Sequence, residues 1–199
     1  MKILLVGAQG TLGRAVAAEL GARHEIITAG RRSGDVRIDL SDRDSIVQAF
    51  AQVGSVDAVV SAAGNVAFAP LLELTDAQWQ MGLGDKLMGQ VNLALAAVGH
   101  LSDGGSITLT TGVLADQPIR SGAQASLVNS AIHGFVMGAA IELPRGIRIN
   151  AVSPNVLQES TDDYAPYFRG FEPVTAARAA LGFSRSVEGA ETGKVYRVY

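Results

Sequence analysis

The stretch ILLVGAQGTLG, residues 3–13, decides the fold. Its four aliphatic residues, Ile3 to Val6, read as a buried parallel strand, and glycines follow at Gly7, Gly10 and Gly13. A strand that breaks into a glycine-spaced turn and reopens as a helix is suited to holding phosphate. Glycine lets the backbone turn tightly and approach a pyrophosphate, while the unpaired N–H groups and dipole of the new helix face the negative charge. Three glycines alone are weak support. The strand before them and the Ala-rich run Arg14 to Leu20 after them supply the context that a dinucleotide fingerprint requires.

Beyond this unit the chain alternates strand-like and helix-like segments, the rhythm of a parallel sheet covered on both faces. Residues 24–29 (HEIITA) and 36–40 (VRIDL) read as the second and third strands. The link between them is too short for a crossover helix and is expected to be a loop or a single turn. Ser41 is expected to cap a helix running to about Val53, with Asp42 and Asp44 in its first turn, where the dipole favours negative charge. Residues 57–62 (DAVVSA) form a fourth strand that ends in Ala63-Gly64-Asn65. A long middle helix starts at the capping box Thr75/Gln78 and runs to about His100, weakened by Gly82, Gly84 and Gly89. A fifth strand at 106–111 (SITLTT) precedes a second long helix, Gly122 to Leu143, ended by Pro144. That helix is apolar or small on nearly every side, so part of it is expected to meet another subunit. Residues 148–150 lie in a sixth strand, Gln158 to Phe171 reads as a loop or lid, and Lys194 to Val198 closes the sheet.

Composition narrows the function classes. A chain of 199 residues, 48% apolar and 18% charged, fits one α/β domain over residues 1–199 with a substantial core. A net charge of −3 with scattered arginines gives no basic stripe, so neither nucleic acid nor an anionic membrane is expected as a partner. There is no cysteine, and His24, His100 and His133 match no metal-ligand spacing, so no metal is expected. The N-terminal apolar run is too short for a signal peptide or a span, and the expected compartment is reducing and cytoplasmic.

Several blocks, in order, resemble the short-chain dehydrogenase/reductase family over nearly the whole chain. VGAQGTLG resembles that family's glycine loop, with a Gly-x-x-Gly-x-x-Gly spacing nearer its extended and atypical members. Asp39-Leu40 resembles the adenine-contacting Asp after the third strand, and SAAG at 61–64 the Asn-Asn-Ala-Gly block along the cofactor. RINAVSPN at 148–155 resembles the segment that contacts the nicotinamide half, with Asn155 where Gly usually stands. The resemblance implies a doubly wound, three-layer Rossmann fold of about seven strands, shortened between strands 2 and 3. It also implies a nicotinamide cofactor held by Gly7, Gln9, Gly10, Thr11, Leu12, Gly13, Arg31, Arg32, Asp39, Leu40, Ala62, Ala63, Gly64, Asn129, Pro154 and Asn155.

At the end of the second strand an acid would bind the ribose 2′-OH of NAD, whereas arginine suits a 2′-phosphate. The run here is Gly30-Arg31-Arg32, and planar guanidinium groups bind phosphate bidentately, so NADP(H) is favoured over NAD(H). Asp35 keeps NAD open. The family's catalytic Asn, Ser, Tyr and Lys align with Lys86, Gly112, Ala125 and Asn129, and no tyrosine lies between Gly64 and Asp163. Losing a positioned general acid typically costs ~10²–10⁴ in rate, so the standard carbonyl chemistry is not expected in its usual form. Lys86, Thr110 and Thr111 are the candidate replacements, with Tyr164 and Tyr167 on the lid. Three functions follow: an oxidoreductase with a divergent site and an unknown small-molecule substrate, a non-catalytic NADP(H) sensor or scaffold, or an isomerase or lyase using Lys86. A homodimer or homotetramer is expected through the helices at 75–100 and 122–143.

Overall fold

The computed structural model describes residues 1–199. The chain begins with β1 (Lys2–Val6), α1 (Thr11–Gly21), β2 (Glu25–Gly30), β3 (Val36–Arg37), α2 (Arg43–Val53) and β4 (Val56–Ser61). There follow α3 (Asp76–Met81), a π-helical turn (Gly82–Met88), α4 (Gly89–Ala97), β5 (Leu101–Thr110) and α5 (Ala123–Ala139). It ends with β6 (Arg148–Pro154), α6 (Thr161–Tyr164), α7 (Ala176–Glu188) and β7 (Val195–Val198). All seven strands are parallel, in the order β3-β2-β1-β4-β5-β6-β7. This is the expected doubly wound sheet. No helix is long and apolar enough to cross a membrane.

Strand alternation splits the core into two layers. Leu4, Val6 and Val59 face Phe50 of α2, Leu93 of α4 and Ile132 of α5, whereas Ile3, Leu5 and Val60 face Val16 of α1 and Phe183 of α7. Burial on both faces explains why the central strands read as unbroken apolar runs.

The five-residue link between β2 and β3 is indeed a loop. A parallel partner is reached without a helix because β3 pairs only with the last two residues of β2, Ala29 and Gly30, so the chain doubles back a short way. The third strand is correspondingly two residues long, not five. Ser41 does not cap α2; Asp42 does, accepting from the Asp44 N–H at 2.9 Å, while the Ser41 hydroxyl turns back to Asp39 at 2.6 Å. The Thr75/Gln78 capping box forms as expected. The long middle helix, however, is three pieces, and the Gly89 N–H reaches back five residues to the Gly84 carbonyl. The second long helix ends at Ala139, short of Leu143, in turns that precede Pro144. The fifth strand starts at Leu101, and α7 has no counterpart in the sequence reading.

The π turn is stapled to the sheet by Gln90, which is fully buried. Its Nε2 donates to the carbonyls of Lys86 (3.0 Å) and Thr110 (2.8 Å), and its Oε1 accepts from the Thr110 N–H at 2.8 Å. Widening a helical turn frees backbone groups, and here a side chain satisfies one of them. Gln90→Leu strands three buried backbone groups and is expected to lower the unfolding free energy by about 3 kcal/mol, read from urea denaturation of the purified chain.

Candidate functional site

Two cavities of about 290 Å³ each open along the carboxyl edge of the sheet and meet at Gly64 and Asn65. The first is floored by the glycine turn. Gly7 has φ +83°, and a Cβ there would stand 2.7 Å from the Ala62 carbonyl oxygen; a Cβ on Gly13 would overlap the Gly7 carbonyl. Only glycine permits this packing. Gly10 caps α1 without a side chain, so the first N–H groups of the helix stay open. Gly7, Gly10, Arg31, Leu40, Ala62, Ala63 and Gly64 all line this cavity. Gln9 and Thr11 sit on the turn beside it, and Leu12 and Gly13 are buried beneath.

The remaining residues expected near this cavity are placed differently. Arg32 is exposed and does not line it. Asp39 lies outside the lining, its carboxylate accepting from the Ser41 N–H (3.0 Å) and hydroxyl (2.6 Å), contacts that hold it below the usual carboxylate range. Asp35 does not line it either. The Thr28 N–H and hydroxyl donate to its carboxylate at 2.9 and 2.7 Å, which keeps it ionised and turned along β2.

The second cavity gathers Lys86 of the π turn, Gly112 after β5, and Ala125 and Asn129 of α5, the four positions that the family resemblance had aligned with the catalytic residues. Thr111, Pro154 and Asn155 also line it. Thr110 does not. Its hydroxyl donates to the Ser61 carbonyl at 2.5 Å, while that of Thr111 donates to the Asn129 carbonyl and lies 3.1 Å from His133 Nε2. Successive strand residues face opposite ways, so only one of the pair can face this cavity.

The π turn explains why neighbours serve different cavities. Asp85 faces the first, where its carboxylate accepts from the Asn65 N–H (3.1 Å) and side-chain amide (2.5 Å). Lys86 faces the second and packs where a Cβ on Gly64 (φ +126°) would fall 2.8 Å from its Cγ. Lys86 is 9% exposed. Burial pulls its ammonium down to about 8, against the opposing attraction of Asp85. Asn129 Oδ1 is also buried and has no partner in the chain. The cavity thus presents an open donor and an open acceptor.

The segment from Gln158 to Phe171 covers this cavity through Tyr164 and Phe168, whose ring centroids lie 5.6 and 6.3 Å from that of Phe68. Tyr167 packs on the outer side of Phe68 and does not line the cavity. Sequence reasoning missed Phe68, Asp85 and Gln90. It also missed Gln124, fully buried, which accepts from the Ala67 N–H at 2.6 Å and donates to the Gln78 carbonyl, tying α5 to the cavity rim. The only available signal was a long polar side chain in an otherwise apolar or small-residue helix.

A family model described as enoyl-(acyl carrier protein) reductase matches residues 3–197. Versicolorin reductase 1 of Dothistroma septosporum is 30% identical over 198 residues, covering 86% of this chain and 74% of that protein. Among solved structures, the protein lin1944 from Listeria innocua is 54% identical and superposes with a TM-score of 0.98 over the whole of both chains. A small-chain dehydrogenase in complex with NADPH is 25% identical, with a TM-score of 0.90 over 100% of this chain and 96% of the other.

Lys86 makes stability pH-dependent with a definite sign. Its folded pKa, about 8, lies below the usual 10.5, so between those values the unfolded chain binds more protons and stability rises with pH. The gain attributable to Lys86 should approach about 3 kcal/mol by pH 10.5. It is expected to vanish in Lys86→Met when urea midpoints of the two proteins are compared across that range.

Proposed function

The chain belongs to the short-chain dehydrogenase/reductase family of oxidoreductases, and from that premise we propose that it uses NADP(H) to interconvert a carbonyl compound and its alcohol at a divergent site in which Lys86 replaces the tyrosine and lysine pair. The observation that carries this reading is the joined pair of cavities. One is a glycine cradle that any side chain would fill, and the other contains a buried, protonatable amine.

The cradle fits a nicotinamide dinucleotide. The open α1 N-terminus and the close approach permitted by Gly7 and Gly13 suit a pyrophosphate, and Ala62 to Gly64 leave a smooth wall beside it. Arg31 lines the cavity next to Gly30, while Asp35 is occupied by Thr28, so the second-strand end offers a guanidinium rather than a carboxylate to the ribose. That favours the 2′-phosphate of NADP(H).

When bound, the cofactor supplies or accepts a hydride. Reduction leaves a negative oxygen on the substrate that must be protonated, and the protein's part is to hold that proton in place. Lys86 Nζ is the one cationic donor lining the cavity, and a pKa near neutrality suits it to release a proton there. Gln90 fixes the Lys86 backbone, and Asp85 biases the amine toward its protonated form. Ala125 has no proton to give. Asn129 Oδ1 remains free to accept from a ribose or substrate hydroxyl. The aromatic cover of Phe68, Tyr164 and Phe168 limits water over the reacting atoms.

Titrating NADPH and NADH against nicotinamide fluorescence tests the cofactor assignment. NADPH should bind more tightly, and Arg31→Glu should weaken it by about tenfold or more while leaving NADH nearly unchanged; equal weakening of both would refute the assignment. Binding without turnover across ketones and alcohols would point instead to a sensor or scaffold. Turnover that needs Lys86 but leaves the nicotinamide redox state unchanged would point to an isomerase or lyase.

We also propose self-association through the middle helices and α5, supported by the exposed Leu95, Leu127, Met137 and Ile141. Sedimentation velocity at micromolar concentration should give a dimer or tetramer. A species of one-chain mass alone would reject this.

A further inference from the structure

The second cavity is chemically uneven. Phe68, Tyr164 and Phe168 form an aromatic wall in which Tyr164 and Phe168 meet edge to face, at 6.1 Å and 86°. Lys86 is the only cation in the lining, and no carboxylate joins it there. Its sole opposing charge, Asp85, is committed to Asn65 on the other side of the turn. Lys86 is about nine-tenths buried as a residue, and its ammonium donates no hydrogen bond within the chain.

Burying a cation without a partner is unfavourable, and a ligand acceptor relieves that cost most when it carries negative charge. Aromatic walls favour flat rings, which gain contact area with little loss of internal freedom. A volume of about 290 Å³ lies at the small end of the ligand-pocket range and suits a compound of one or two rings.

We propose that this cavity selects flat, ring-bearing ligands carrying one anionic oxygen, which pairs with Lys86 while the ring lies against Phe68 and Phe168. The proposal rests on the assignment above of this cavity as the substrate end of the nucleotide cleft, and it names the class of substrate or product that end accepts: an aromatic or fused-ring carbonyl compound bearing a carboxylate, or one acidic enough to ionise as an enolate or phenolate.

The test is calorimetric titration of 2-naphthoate, methyl 2-naphthoate, 2-naphthylmethylamine and octanoate into the full chain, with and without saturating NADP⁺. NADP⁺ binding is measured separately. The acid is expected to bind about tenfold or more tightly than its ester, the amine more weakly than either, and octanoate more weakly than the ring acid. Lys86→Met should erase the advantage of acid over ester while leaving the ester's affinity in place. Phe168→Ala should weaken acid and ester together.

Equal affinities for acid and ester in the native chain would overturn the proposal, as would an acid preference that survives in Lys86→Met, octanoate matching 2-naphthoate, or no binding by any of the four. The native acid and ester comparison decides the point even if a variant fails to fold. NADP⁺ binding without an acid preference would sink this inference alone. An acid preference in a chain that does not bind NADP⁺ would sink the oxidoreductase reading and leave the anion site standing.

Discussion

Backbone touches backbone at the first strand-to-helix turn, and the carboxyl edge of the sheet is arranged around that contact. Gly7 lies against the Ala62 carbonyl at the end of β4, and Gly13 lies beneath Gly7. No side chain separates β1 from α1 or from the neighbouring strand end. The helix N-terminus is therefore held against the sheet, and the groove above it is walled by Ala62, Ala63 and Gly64. A close approach of this kind is rigid because nothing in it can change rotamer. Lys86 extends the same rule one layer further, its Cα, Cβ and Cγ packing directly over Gly64, where the two cavities meet.

The two cavities also differ in what fixes them. The floor of the first is main chain and small side chains, Gly7, Gly10 and Ala62 to Gly64, held by sheet pairing on both sides of β1. The second depends on long polar side chains acting as struts. Gln90 joins the π turn to β5, and Gln124 joins α5 to Gln78 of α3 and to the Ala67 backbone. Paired buried amides of this sort specify one arrangement, because any shift leaves several groups unsatisfied at once.

How much of this was legible in the sequence follows from the range of the signals. Ile3 to Val6 and the glycines after them announce themselves because strand burial and tight turning are local demands on residue type. The blocks at Asp39, Ala62 to Gly64 and Pro154 were recognisable by order and spacing, although the Asp39 carboxylate turned out to be taken by Ser41. The π turn was not legible. An i to i+5 bond leaves no compositional mark, and Gly82, Gly84 and Gly89 read simply as helix weakeners. Thr110 and Thr111 could not be told apart because their facing depends on strand phase, set by the pairing of β5 with β6. The helix α7 escaped notice because its arginines and serines dilute an apolar stripe, Ala179, Ala180, Phe183 and Val187, that emerges once the residues are placed on a helix.

The shortness of β3 has a consequence at the sheet's margin. An outermost strand normally exposes a row of unsatisfied amides and carbonyls on which foreign chain can crystallise as a further strand. With only Val36 and Arg37 in ladder geometry, and a bent loop immediately before them, that border offers too few rungs for an added strand to gain a foothold. Omitting a crossover helix thus also guards the open flank against fibrillar growth.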